Sequence, residues 1–135
     1  MAVKKIVVHC VEIEDKPGSL QKFLSQSGLS GVDYLCFSAF SCGNNRGRAF
    51  VSAKDTKKFE SFAQEAGLKT SVAAGFIVDG EDRIGAAADV LLGIAENDIS
   101  GLVGSAMVCN GRYQMFVVVN AEDGDGAQKA LYDND

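Results

Sequence analysis

The chain opens on an alternation of apolar and polar positions. Residues 6–13 are largely β-branched, with Ile6, Val8 and Cys10 on one face and Val7, His9 and Val11 on the other, the period-two pattern of a strand. The period then lengthens. Pro17 near the start, apolar Leu20, Phe23 and Leu24 at i, i+3 and i+4, and Gly28 as a stop predict an amphipathic helix of about three turns. Residues 32–41 and 48–53 predict two further strands, joined through the hairpin signal Gly43-Asn44-Asn45-Arg46-Gly47. A second helix follows, with Asp55 or Thr56 as N-cap, Phe59, Phe62, Ala63 and Ala66 on its apolar face and Gly67 at its C-terminal cap. The stretch 68–80 must then supply two strands, near 69–73 and 76–79, with no linker between them.

The second half repeats the first. At an offset of 67 residues, Val11/Val78, Glu14/Glu81, Asp15/Asp82, Gly18/Gly85, Leu24/Leu91, Leu35/Leu102, Ser38/Ser105, Ala39/Ala106, Cys42/Cys109 and Val51/Val118 coincide without a gap over residues 11–51. Chance would give roughly two or three such identities. Copy two repeats the first helix with Ile84, Ala87, Leu91 and Ile94, shortens the hairpin connection around Asn110-Gly111, and offers Asp123 or Asp125 ahead of a helix with Ala127, Ala130 and Leu131. Each copy therefore reads β-α-β-β-α-β, which in a ferredoxin-like α+β arrangement gives an antiparallel four-stranded sheet with both helices on one face. We expect repeat one over residues 1–74 and repeat two over residues 75–135. Copy two reaches Asp135 in or just past its second helix, so it lacks a complete last strand, and its sheet edge should be covered by the first copy or by another subunit.

Composition narrows the function. With 135 residues, 47% apolar and 23% charged, the chain can build a core of its own. A net charge of −5 argues against a nucleic-acid footprint, and the charge is uneven, at +2 over residues 1–67 and −7 over 68–135. No segment approaches the ~20 apolar residues of a membrane span, and the N-terminus lacks the core of a signal peptide. Cys10, Cys36, Cys42 and Cys109 lie far apart without a C-x-x-C, so neither a disulfide framework nor a metal site is expected, and a reduced cytoplasmic setting fits. His9 is the single imidazole and no nucleophile–base pattern surrounds it, so we expect no catalysis, no cofactor and a position at a helix–sheet or domain boundary for this residue. Cys42 and Cys109, at equivalent places in the repeat, read as packing residues. The Asp-Gly-rich stretch 122–126 reads as a helix cap, because it lacks the distal Glu of a calcium loop.

The loop after the first strand reads Glu14-Asp15-Lys16-Pro17-Gly18-Ser19-Leu20, and its counterpart Glu81-Asp82-Arg83-Ile84-Gly85-Ala86-Ala87. Each is followed by a short turn into the second strand, Gly31-Val32-Asp33 and Asp98-Ile99-Ser100. Here the sequence resembles the ACT domain family, in two copies covering essentially the whole chain, as in small stand-alone tandem members without a catalytic domain. The resemblance implies a regulatory module that binds an amino acid or another small metabolite, with domains paired edge to edge; exposed sheet edges and a short chain favour a homodimer. The resemblance places the ligand at the interface between ACT domains, between the strand–helix loop of one domain and the adjoining domain, the loop being formed by Asp15, Lys16, Pro17, Gly18, Ser19 and Leu20 in copy one and by Asp82, Arg83, Ile84, Gly85, Ala86 and Ala87 in copy two. The residues agree with this chemistry on their own terms: the glycines let a ligand approach the backbone, and the free N–H groups of a first helical turn suit a carboxylate. Asp15, Asp33, Asp82 and Asp98 are candidates for the ammonium group. Copy two departs from the pattern, with Ile84 for Pro17 and Ala86-Ala87 for Ser19-Leu20, and copy one carries Asp33 where many amino-acid-binding members have Asn. The alternative is a structural or protein-interaction module in which the loops are vestigial.

Overall fold

The N-terminal run forms a longer strand than its pattern predicts, because β1 covers Ala2–Glu14. It is followed by α1 (Ser19–Leu29), β2 (Tyr34–Gly43), β3 (Arg46–Ala53), α2 (Thr56–Glu65) and β4 (Thr70–Glu81). The second passage runs α3 (Ala86–Glu96), β5 (Gly101–Cys109), β6 (Arg112–Asn120), a 3-10 turn (Ala121–Asp123) and α4 (Gly124–Asp133). The structure, a computed structural model, describes residues 1–133; the expected end of repeat two at Asp135 lies outside the described residues.

Internal contacts divide the chain into two units, one of Val7–Val72 and one of Met1–Ile6 with the chain from Ala73 onward. The expected division at residue 74 follows the repeat; the contacts follow the fold, and they assign the first six residues to the second unit. In the first unit the strand order is β2-β3-β1-β4, with β1 and β3 antiparallel from His9 opposite Val51 to Glu14 opposite Arg46. The Glu12 N–H donates to the Lys69 carbonyl at 3.2 Å, which sets the start of β4 beside β1. In the second unit the order is β1-β4-β6-β5, with β4 and β6 antiparallel from Ala73 opposite Asn120 to Glu81 opposite Arg112. Each unit is a ferredoxin-like β-α-β-β-α-β fold with an antiparallel sheet. Among the described residues no strand follows α4, and Met1–Ile6 takes the place of a fourth strand in the second unit. The two strands expected within 68–80 are one continuous strand, β4.

The core of the first unit gathers Val11, Phe23, Ala49, Val51, Phe59 and Phe62, that of the second Phe76, Val78, Val90, Ile94, Val117, Val119 and Leu131. Helix α2 starts as expected at Asp55, whose carboxylate accepts from the Lys57 and Lys58 N–H groups. Helix α1 runs past Gly28; the chain reverses at Gly31, which adopts φ +82°. On α3 the buried residues are Ala86, Val90, Gly93 and Ile94, while Leu91 and, in the turn before the helix, Ile84 face solvent. Apart from the side of Asp89 and Glu96 the helix is apolar all round, so its hydrophobic pattern does not single out the buried face. Before α4 the 3-10 turn starts at Asn120, and Asp125 pairs with Lys5 at 2.8 Å instead of capping the helix.

Both hairpins close through two-residue turns with positive φ, at Asn44-Asn45 and at Asn110-Gly111. The extra residue of copy one is absorbed by a β-bulge between Ser41 and Gly43, which leaves Cys42 unpaired, whereas Cys109 pairs with Arg112. Cys42 and Cys109 are therefore not equivalent in register. Leu35 and Leu102 do coincide, each at a bulge near the start of its edge strand.

Candidate functional site

The two loops share one backbone design. The Ser19 N–H donates to the Lys16 carbonyl at 3.1 Å and the Ala86 N–H to the Arg83 carbonyl at 3.2 Å, closing a four-residue turn in each copy. Gly18 (φ 87°, ψ −7°) and Gly85 (φ 83°, ψ 3°) hold the third position of a type II turn, which a residue with a Cβ occupies only under strain. This accounts for Pro-Gly in copy one, since Pro presets the second position. Copy two makes the same turn with Ile84 there, so losing the proline has not changed the backbone.

Each turn runs straight into a helix. The first helical hydrogen bonds go from Lys22 N–H to Gly18 O at 2.9 Å and from Asp89 N–H to Gly85 O at 3.0 Å, and no side chain caps either helix start. The amides of Leu20 and Gln21, and of Ala87 and Ala88, are thus the orphan donors of their first turns. Each loop is also pinned to the hairpin of its own unit: Asp15 N–H donates to Asn45 O at 2.9 Å, and Asp82 N–H to Gly111 O at 2.9 Å. In copy one Ser41 Oγ adds a 2.5 Å bond to Asp15 Oδ2. Nothing in the sequence pattern announced these hairpin–loop ties.

Around loop two a cleft of about 620 Å³ is lined by Glu81, Arg83, Ala86, Asp89, Arg112 and Tyr113, among others. Arg83 pairs with Asp89 and also donates to the Ile84 carbonyl; Arg112 pairs with Asp79 at 2.9 Å. Both guanidiniums are held further toward the charged form by these carboxylates. In the first unit a cleft of about 570 Å³ opens instead on the hairpin side, between Glu12, Glu14, Arg46, Arg48 and Lys69, and its lining includes none of residues 15–20. Lys16 pairs with Glu14 at 3.0 Å.

Asp33 is not brought to loop one. It pairs with Lys54 at 2.7 Å, just beyond the end of β3, whereas loop one follows the residue paired with the start of that strand. Eight strand residues separate the two, about 25 Å. Asp98 sits at the end of α3 in a left-handed conformation, φ 58°.

His9 lies between β1 and α2, 3% exposed, its ring 4.9 Å from that of Phe59 and its Nε2 3.5 Å from Glu60 Oε1. Burial lowers its pKa and the Glu60 carboxylate opposes that shift only in part. Of the two positions expected from the sequence, the helix–sheet boundary is the one observed. Among the described residues no group of His, Cys, Asp and Glu is arranged to hold a metal ion, and no helix is long and apolar enough to cross a membrane.

No family model matches the sequence, and no curated protein matches it. Solved structures do. The chain is similar to a protein from Bacteroides thetaiotaomicron, with a TM-score of 0.77 and 13% identity over 97% of this chain and 89% of that one. It is similar to the regulatory subunit of aspartate kinase from Thermus thermophilus in its ligand-free form, with a TM-score of 0.65 and 15% identity over 98% of this chain and 95% of that one. A third likeness is to E. coli aspartokinase III in complex with aspartate and ADP, at a TM-score of 0.67 and 11% identity, covering 98% of this chain and 33% of that one. The fold is therefore the tandem ACT-type fold found in regulatory subunits of aspartate kinase.

Proposed function

We propose that this chain is a non-catalytic regulatory protein that binds a small metabolite, an amino acid in the first instance, on its strand–helix loops. The observation that carries the reading is the pair of uncapped helix starts, α1 and α3, each entered through a type II turn with a left-handed glycine. A carboxylate is the acceptor those amides lack. The cleft at loop two adds Arg83 and Arg112 beside Glu81 and Asp89, a mixture of signs suited to a zwitterion. The proposed contacts are Asp15, Lys16, Gly18, Ser19 and Leu20 in copy one and Asp82, Arg83, Gly85 and Ala86 in copy two, with Pro17 and Ile84 shaping the turns. Likeness to regulatory subunits of aspartate kinase supports the regulatory half of the reading. The mechanism is linkage: the metabolite shifts the chain toward whichever arrangement binds it more tightly, by no more than the difference in affinity.

Thermal unfolding against each of the twenty amino acids tests it. A ligand at 100 times its Kd should add ~2.7 kcal/mol of stability. Gly18→Val or Gly85→Val, which forces a β-branched residue into a left-handed position, should abolish the shift produced by that compound. No shift with any of the twenty in ligand-free, folded protein would sink the amino-acid reading.

The same reading includes a cytoplasmic homodimer, and the second unit offers the surface for it. Strand β5 is an edge strand without a charged residue, with Leu102, Met107 and Val108 exposed, the turn before α3 exposes Ile84, and α3 itself exposes Leu91 and Leu92. Leu92→Lys with Met107→Lys should convert the dimer to monomer in sedimentation equilibrium; an unchanged mass would rule this surface out. These exposed apolar residues are what favour the second reading, an interaction module, which predicts a different protein bound to them and no metabolite response.

A further inference from the structure

Copy one carries a cationic pair that copy two lacks. β3 opens with Arg46 and Arg48, both exposed and separated by the buried Gly47. Alternate residues of a strand share a face, so the two side chains leave β3 on the same side, with Cβ atoms about 7 Å apart. That side is turned away from the core. Ala49, Val51 and Ala53, which share the face of Gly47, are core residues, and a side chain at Gly47 would meet Ile13 at 3.3 Å.

Across the strand pair stand two acids, Glu14 opposite Arg46 and Glu12 opposite Arg48. Neither answers its arginine. Glu14 pairs with Lys16 at 3.0 Å and Glu12 lies 3.9 Å from Lys69, while neither Arg46 nor Arg48 forms an ion pair with a described residue. The second copy has the same register in a closed form. Arg112 stands opposite Glu81 and pairs with Asp79 at 2.9 Å, and the place of Arg48 is taken by the neutral Gln114, opposite Asp79. With its acids set against lysines, copy one is left with two guanidiniums that a dianion would balance.

Both arginines line the cleft of about 570 Å³ on the hairpin side, together with Asn44, Asn45 and Lys69. The side-chain amides of the two asparagines are neutral donors on the exposed turn, φ 54° and 58°. A guanidinium fork presents parallel N–H groups that the two oxygens of one carboxylate fill. Two forks rising from one strand face call for an acceptor with more oxygens and more charge. A phosphoryl group has three acceptor oxygens and nearly two negative charges at neutral pH.

We infer that this cleft is a separate anion site for the phosphoryl group of a small phosphorylated molecule, held by Arg46 and Arg48 with Asn44 and Asn45 as neutral donors. The cleft has room for the remainder of such a molecule, and none of residues 15–20 lines it.

An NMR titration of the full-length protein with inorganic phosphate at constant ionic strength tests it, with succinate as the dicarboxylate probe and chloride as the reference. Saturable shifts are expected at the amides of residues 44–48 and at the Nε signals of Arg46 and Arg48. Arg46→Gln and Arg48→Gln should each weaken phosphate binding about tenfold or more, and Arg112→Gln, whose guanidinium is already paired, should leave it unchanged. Should Arg46→Gln disturb the hairpin, Arg46→Lys keeps the charge without the fork and is still expected to weaken binding. Shifts that do not saturate, or that spread equally over Lys22, Lys57 and Lys58, would mean an adventitious ion only and overturn the inference. Phosphate binding unchanged in the arginine variants would do the same, and tighter binding of succinate would overturn the phosphoryl assignment. No amino acid is added, so the result is independent of the thermal-shift screen.

Discussion

Deleting residues 2–6 is expected to unfold the second unit while the first stays folded. The segment supplies that unit with its fourth strand, and with it go the buried Ile6, the packing of Val3 against the core and the Lys5–Asp125 and Tyr132–Val3 ties to α4. Burying an Ile side chain such as Ile6 contributes about 1.5–3 kcal/mol, and the deletion also bares the edge of β4, a strand whose inner positions are almost all buried. A domain has only ~5–15 kcal/mol in hand, so losses of this kind consume much of it. Residues 7–14, which pair with β3, are untouched. Calorimetry should therefore show one transition in place of the wild-type profile, with amide protection lost along β4 and β6 and retained along β2 and β3. A deletion variant that keeps full protection in β4 and β6 would mean that Met1–Ile6 is dispensable to the second unit. A variant that loses protection everywhere would mean that the two units fold as one.

That arrangement marks the limit of what the sequence conveys about the fold. The repeat, the order of elements, the Asp55 cap and the Asn-rich hairpins are local, and local patterns report them: period two, period 3.6 and the residues that tolerate positive φ. Which strand completes which sheet is not local. Residues 2–5 include two lysines and carry no clean alternation, and nothing in 68–80 marks the point where β4 leaves one unit for the other, because a strand buried along most of its length reads as an unbroken apolar run. The face of α3 was hidden for a related reason. In Ala86–Glu96 apolar residues occur on every side, so Leu91 and Val90 are equally good candidates for the core until packing selects Val90.

The candidate site was readable in part. The glycines at 18 and 85 stand out because the repeat places them together, and the structure supplies the reason, a positive φ at each. The ties from Asn45 and Gly111 to the aspartates that open the loops are backbone bonds, which leave no trace in side-chain identity. Asp33 stands directly after a turn, as a ligand residue would, and only the register of β3 separates it from loop one. The cleft at loop two depends on Arg112 and Tyr113 from a strand 25 or more residues further along, and no spacing rule links them to Arg83.

Phe59→Ala is expected to cost the first unit ~3–5 kcal/mol, the range for removing a buried phenylalanine, and to change its response to acid. Phe59 has no exposed surface and its ring meets those of His9, Tyr34 and Phe62 at centroid distances of 4.9, 6.3 and 6.3 Å, so the cavity would open at the centre of the core. The neutral form of His9 is the one the fold favours, because burial lowers its pKa. The unfolded chain takes up a proton near the ordinary imidazole value of ~6.5. His9 therefore contributes stability that is complete above that value and is lost as pH falls through the lower folded one. Asp125, held below the usual carboxylate range by Lys5, titrates well under this window. Opening the core at Phe59 admits water to the imidazole and lets the folded pKa return toward the unfolded one, so the drop in stability between pH 7 and pH 5 should be smaller in the variant than in wild type. Urea unfolding at the two pH values measures both effects, with Phe59→Leu as the variant to use if Phe59→Ala is too unstable to give a folded baseline. An unchanged pH dependence in a destabilised variant would show that burial against Phe59 does not govern the titration of His9, and that the Glu60 carboxylate at the mouth of the site does.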